Sequence, residues 1–123
     1  MPSIEWILAL LLFAGGELQQ ATSAAIALDV AVEIEIVADS SNTLRAQVRV
    51  PAGTNARDLM DKLFQMEYLD SSRKFVLGIA GYQARPREKK FWKLEVGGVA
   101  SQVGVAEISL TGATRLRWVI TAY

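Results

Sequence analysis

The stretch "VAVEIEIVADSSNTLRAQVRVPAGTNARDLMDKL", residues 30–63, decides the fold. Its first eight residues alternate, with Val30, Val32, Ile34 and Ile36 on one face and Glu33 and Glu35 on the other, the pattern of a half-buried strand. "DSSN" at 39–42 is turn chemistry, because short polar side chains bond to their own backbone. Alternation then resumes, Leu44, Ala46, Val48 and Val50 against Arg45, Gln47 and Arg49, so the two strands form a hairpin. Arg45 and Arg49 are expected opposite Glu33 and Glu35, each cross-strand pair contributing a few tenths to about 1 kcal/mol. That use leaves the two carboxylates on a solvated face, with no third ligand or apolar pocket beside them to suggest metal or acid–base chemistry. After Pro51 and Gly53, Thr54 or Asn55 can cap a helix whose Ala56, Leu59, Met60, Leu63 and Phe64 fall at helical spacing. Asp58 and Asp61 suit its positive end, and the pattern predicts an amphipathic helix of about four turns. Met60 and Met66 read as core filling rather than as soft ligands.

Downstream, "DSSRK" ends that element, and "FVLGIAGY" at 75–82 is an apolar run of strand length in which Gly78 permits close approach. "QARPREKK" is a polar loop. "FWKLEV" places Trp92, Leu94 and Val96 on one face and Phe91, Lys93 and Glu95 on the other, with Gly97 and Gly98 ending the strand. In the terminal "TRLRWVITAY", Leu116, Trp118 and Ile120 share a face. The order is β-β-α-β-β-β with an irregular segment before the last strand. This predicts an α+β fold, a mostly antiparallel sheet with one packed helix, for which a β-grasp is the simplest architecture.

Composition narrows the chemistry. The 123 residues suit one domain, and 51% hydrophobic with 21% charged residues is a globular balance. Net charge is zero, so no global field draws in nucleic acid or an acidic membrane. Cysteine and histidine are both absent, which removes disulfides, thiolate nucleophiles, His-based triads and the commonest zinc ligands. "GGVASQVG" lacks the Gly-Lys-Ser/Thr of a phosphate loop and fails the dinucleotide spacing. No enzyme is expected. Arg85, Arg87, Lys89, Lys90 and Lys93 are interleaved with Tyr82, Phe91 and Trp92, a pattern that could stack bases; but Glu88 interrupts the charge and Trp92 faces the core, so a solvated loop is the better account and no nucleic-acid partner is expected.

At the amino terminus "WILALLLFA", residues 6–14, is too short for a bilayer-spanning helix of about 20 residues, so no stable membrane span is expected. Small residues follow at 23–27, as a signal peptidase requires, although "MPSIE" carries no basic residue. Residues 1–25 are read as a signal peptide or, alternatively, a hydrophobic N-terminal segment, with residues 26–123 as the domain and a secreted, extracellular or periplasmic location.

The segment "GYQARPREKKFWKLEVGGVASQVGVAEISLTGATRLRWVITAY", residues 81–123, resembles the carboxyl-terminal β domain of the transcobalamin and intrinsic factor family, including its free-standing bacterial relatives. Gly81, the charged loop, Phe91-Trp92, and the stretch with Val103, Gly104 and Glu107 before a terminal strand carry the resemblance, which extends over roughly residues 30–123. The resemblance implies a cobalamin-binding module that covers the upper face of the corrin as half of a clamp. By position it assigns ligand contact to Val76, Leu94, Ser101, Gln102 and Val103. The helical domain of the family's carriers is missing, and with it any cobalt-ligating histidine, so no metal ligand is expected and a second copy or a partner protein would complete the site. The alternative is a non-catalytic extracellular protein-interaction or adhesion domain that accepts a peptide along a strand edge.

Overall fold

The computed structural model describes residues 29–123; the leader expected at residues 1–25 lies outside them. Strands β1 (Asp29–Asp39) and β2 (Asn42–Pro51) form the expected hairpin, and Val32, Ile34 and Ile36 are buried on one face of β1. Its charge pairing differs in part. Glu35 faces Arg45, but Glu33 faces Gln47 and Arg49 faces Ala31. Glu33 pairs instead with Arg115 at 3.0 Å, because strand β10 (Thr114–Ala122) lies along the other side of β1.

β10 runs parallel to β1, and β7 (Lys90–Val96) pairs antiparallel with β10. β8 (Val99–Ala100) folds back on β7 and completes a five-stranded sheet of order β2-β1-β10-β7-β8. A parallel pair cannot be closed by a hairpin, so the chain between β2 and β10 serves as the crossover that returns it to the middle of the sheet. The Gly97–Gly98 turn has φ of 61° and 87°, the pair of positive values that a two-residue type I′ hairpin requires.

The helix α1 (Ala56–Leu63) has eight residues, two turns rather than the four expected. Phe64 leaves helical geometry at φ −133° and ψ 156°, and β4 (Met66–Tyr68) pairs with β5 (Val76–Ile79). The apolar spacing of Phe64 and Met66 fits either period, and sheet pairing wins over local propensity. Asn55 caps α1: its side-chain oxygen accepts from the N–H groups of Arg57 and Asp58, and its Nδ2 donates to the carbonyl of Ala106 at 2.8 Å. β3 (Thr54–Asn55) pairs with β9 (Ser109–Leu110), tying the start of the helix to the later segment. β5 does not join the large sheet; with β4 and β6 (Tyr82–Gln83) it forms a separate three-stranded one. Gly78 does permit a close approach there, since a Cβ at this position would meet the Glu67 side chain at 3.0 Å.

One core joins these parts. Val32, Ile34, Ile36, Trp92, Leu94, Leu116 and Trp118 on the large sheet pack with Ala56, Leu59 and Met60 of α1 and with Ile79, Ala84, Val105 and Leu110. The opposite face carries a transverse row of alternating charge. Arg45 meets Glu35 at 2.9 Å, Glu35 meets Arg117 at 2.9 Å, Arg117 meets Glu95 at 3.1 Å, and Lys93 flanks Glu95 at 3.3 Å. The row consumes Glu35 structurally, as Arg115 does Glu33. The described residues form an α+β domain dominated by antiparallel pairing, and the α-helix among them is α1.

Candidate functional site

β8 pairs only with Glu95 and Val96 of β7, so from Lys90 to Leu94 the outer edge of β7 has no strand beside it. On that side the Leu94 carbonyl accepts from the Ser101 N–H at 2.9 Å. In an antiparallel ladder residues two apart present their backbone groups to the same side, so Trp92 turns its N–H and C=O toward the open edge. A cleft of about 270 Å³ opens here, lined also by residues from 69–76 and 101–105. Buried Ala84, Trp92, Leu94, Val105 and Trp118 contribute to its lining. So do Leu69, Phe75, Phe91 and Val103, which are 41–61% exposed. Four large apolar side chains left in water around one cleft form a patch of the kind that marks a binding surface.

Local bonding holds this surface in shape. The Trp92 indole Nε1 donates to the Leu77 carbonyl at 3.1 Å, linking the large sheet to β5. The ring of Phe91 meets that of Tyr123 edge to face, centroids 5.9 Å apart. The loop carrying Leu69 and Phe75 is closed by the Leu69 N–H donating to the Phe75 carbonyl at 3.0 Å. It is braced by Arg73, whose guanidinium meets Asp61 at 2.7 Å, while the Tyr68 hydroxyl donates to the other oxygen of the same carboxylate. Burial, and then the Asp61 carboxylate beside it, push the Tyr68 phenol above its ordinary pKa. On the charged face, Arg117 and then Lys93 hold the Glu95 carboxyl below the usual carboxylate range.

Val76, Leu94, Ser101 and Val103 line the cleft; Gln102 is exposed in the same loop but outside the lining. The Ser101 hydroxyl is already engaged, donating to the Val103 carbonyl at 2.7 Å and accepting from the Val103 N–H at 3.2 Å. It shapes the loop. Leu69, Phe75, Phe91 and Trp118 also line the cleft, although neither the residue pattern nor the family resemblance assigns them ligand contact. Phe91 carried a usable signal, an aromatic residue on the outward face of an alternating strand; Phe75, next to the polar "DSSRK" run, carried a weaker one. Trp118 carried none, since its indole Nε1 is buried without a hydrogen-bond partner and only the folded arrangement reveals that.

Among the described residues no group of three or more His, Cys, Asp or Glu is arranged to hold a metal ion, and no helix is long and apolar enough to cross a membrane. No curated protein sequence matches the chain. Among solved structures, the fold is similar to that of haptocorrin in complex with Cbi, with a TM-score of 0.63 and 20% identity over 77% of this chain. The chain spans a quarter, 25%, of that haptocorrin chain. It is similar also to a protein of Ruminococcus gnavus ATCC 29149 named for a suggested metal-binding role, with a TM-score of 0.63 and 9% identity over 76% of this chain and 98% of that one. At these identities the likeness is one of fold. Residues 53–122, more than half of the sequence, match the family model described as "Domain of unknown function (DUF4430)", and the chain belongs to that family.

Proposed function

We propose that this domain is a corrinoid-binding module, a β-grasp that covers one face of the macrocycle as half of a clamp. The observation that carries the reading is the exposed apolar group of Leu69, Phe75, Phe91 and Val103 around the open edge of β7. A corrin is a broad, flat ring with amide arms. Apolar side chains supply contact area for such a ring, while the free N–H and C=O of Trp92 suit an amide, which both donates and accepts. Val76, Leu94 and Val103 are the proposed ring contacts, with Ser101 holding the loop and Gln102 reaching an arm beyond the cleft. The shared fold with a Cbi-bound haptocorrin supports the choice of ligand.

At about 270 Å³ the cleft falls just below the ordinary range of enclosed small-molecule sites, so a corrinoid bound here keeps much of its surface in water. The second wall comes from another copy of the chain or from a separate protein, and the affinity of the single domain is correspondingly modest. The module is non-catalytic and acts outside the cytoplasm, secreted, on the cell surface or in the periplasm, after residues 1–25 have served as an export signal. Titrating cobalamin into the purified domain and following the visible spectrum tests the reading. A saturable band shift is expected, and an unchanged spectrum at high micromolar protein, alone and with candidate partners, overturns it.

A second reading rests on a different observation. β2 lies at one edge of the five-stranded sheet and is ten residues long, with Leu44 exposed, so an extended peptide could add a strand there.

A further inference from the structure

The polar side chains around the cleft divide into those already bonded and those left over. Ser101 is engaged with Val103, Trp92 with Leu77, and Lys93 with Glu95 at 3.3 Å. Three are left. Lys74 and Lys90 are exposed and make no ion pair among the described residues, and the Trp118 indole N–H is buried with no acceptor. All three are donors, and the two that solvent reaches, Lys74 and Lys90, are cations. No Asp or Glu contributes to the lining, although the chain as a whole has as many acidic as basic residues, 13 of each. The excess of positive charge is therefore local to this cleft.

Such a surface is matched by a ligand that brings acceptors and negative charge as well as apolar area. An ammonium group at a partly covered apolar surface keeps its hydration at the head while its stem packs on neighbouring carbon, and a carboxylate placed beside it gains Coulomb energy that an amide does not. Resting on the corrinoid reading above, we infer that the cleft selects corrinoids whose peripheral arms are carboxylates over those whose arms are amides. Lys74 and Lys90 are the specificity-determining residues. A neutral amide arm satisfies the backbone edge at Trp92 but leaves both lysines without a counter-ion; a carboxylate arm can reach them.

Parallel titrations with cobinamide, whose arms are amides, and with cobyrinic acid, whose arms are carboxylates, test the inference at low ionic strength. The wild-type domain is expected to favour cobyrinic acid by about tenfold, two partly exposed ion pairs within the usual range of their contribution. In the double variant Lys74→Gln/Lys90→Gln the ratio of the two affinities falls toward one, and raising the salt concentration lowers it in the wild type as well. Lys62→Gln, on the exposed side of α1, keeps the ratio. Circular dichroism confirms that each variant is folded. Equal affinity for the two ligands, or a ratio that survives the double substitution, overturns this inference and leaves corrinoid binding standing. Failure of both ligands to bind overturns corrinoid binding itself, and the inference falls with it.

Discussion

The Trp92 indole N–H donates to the Leu77 carbonyl at 3.1 Å, and the same carbonyl accepts the backbone N–H of Ala84 at 2.9 Å. One oxygen on β5 thus holds the hairpin to β6 and the large sheet at once. Trp118, also in the cleft lining, has no partner for the equivalent group.

The two tryptophans are expected to respond differently to the same change. Trp92→Phe removes a buried hydrogen bond as well as ring volume and costs about 1 kcal/mol for the bond, with the packing loss added. Trp118→Phe loses the same volume but also relieves an unpaired donor, so its cost is smaller by about 1 kcal/mol or more. Urea unfolding of both variants checks the order; equal losses would show that the Leu77 bond contributes nothing.

Asn55 does two jobs with one side chain, capping α1 and bonding to Ala106. In a helix of two turns there is little else to hold the first turn, so Asn55→Ala should cost about 2 kcal/mol and Asn55→Asp less, because Asp keeps the cap and loses only the donor to Ala106. Thermal melts of the two variants make the comparison.

At Gly98, φ is 87°, and nothing crowds a Cβ there. The cost of Gly98→Ala is therefore conformational alone, about 1 kcal/mol, and Gly98→Asn should recover part of it, since Asn tolerates the left-handed region. At Gly78 the reverse holds: space is short, and Ala must displace the Glu67 side chain from its bond to Gln83. Chemical denaturation with unchanged m-values separates these effects from changes in the unfolded chain.

The Glu95 carboxyl is held below its ordinary pKa by Arg117, which is itself raised chiefly by Glu95. A group depressed in the folded state stabilises above the unfolded pKa, near 4.5 for this carboxylate, and loses that contribution as the pH falls through the folded value. The melting temperature should therefore decline below about pH 4.5, and Glu95→Gln should shallow the decline while lowering stability at neutral pH. A pH profile unchanged by the substitution would remove the charge row from the account of stability.

The strands that alternate cleanly, β1, β2, β7 and β10, were legible in the sequence because their period is set by the face they bury. The buried sides of Ile34, Trp92, Leu94 and Leu116 follow directly from it. What the sequence could not show was which strand lies beside which. The alternation pairs Glu33 within the hairpin because Arg115, 82 residues away, has no local claim on it. The apolar spacing predicts too long a helix because Phe64 and Met66 satisfy both periods until β5 offers Met66 a partner. Of the cleft, Val76, Leu94, Ser101 and Val103 follow from the family resemblance, whereas Leu69 reads as the end of the helical stretch, Lys74 as part of the polar run that ends it and Phe75 as the start of an apolar strand. Their convergence depends on the placement of a second sheet.

The most direct measurement of the central claim is a calorimetric titration of cobinamide into the wild-type domain and into Phe75→Ser. Phe75 is 61% exposed, so the substitution removes cleft area with little effect on the fold. Corrinoid binding at this cleft predicts saturable heat with the wild type and at least about a threefold weaker affinity in the variant, the loss of roughly one partly covered aromatic contact. Equal affinities, or no binding to either protein, would contradict it.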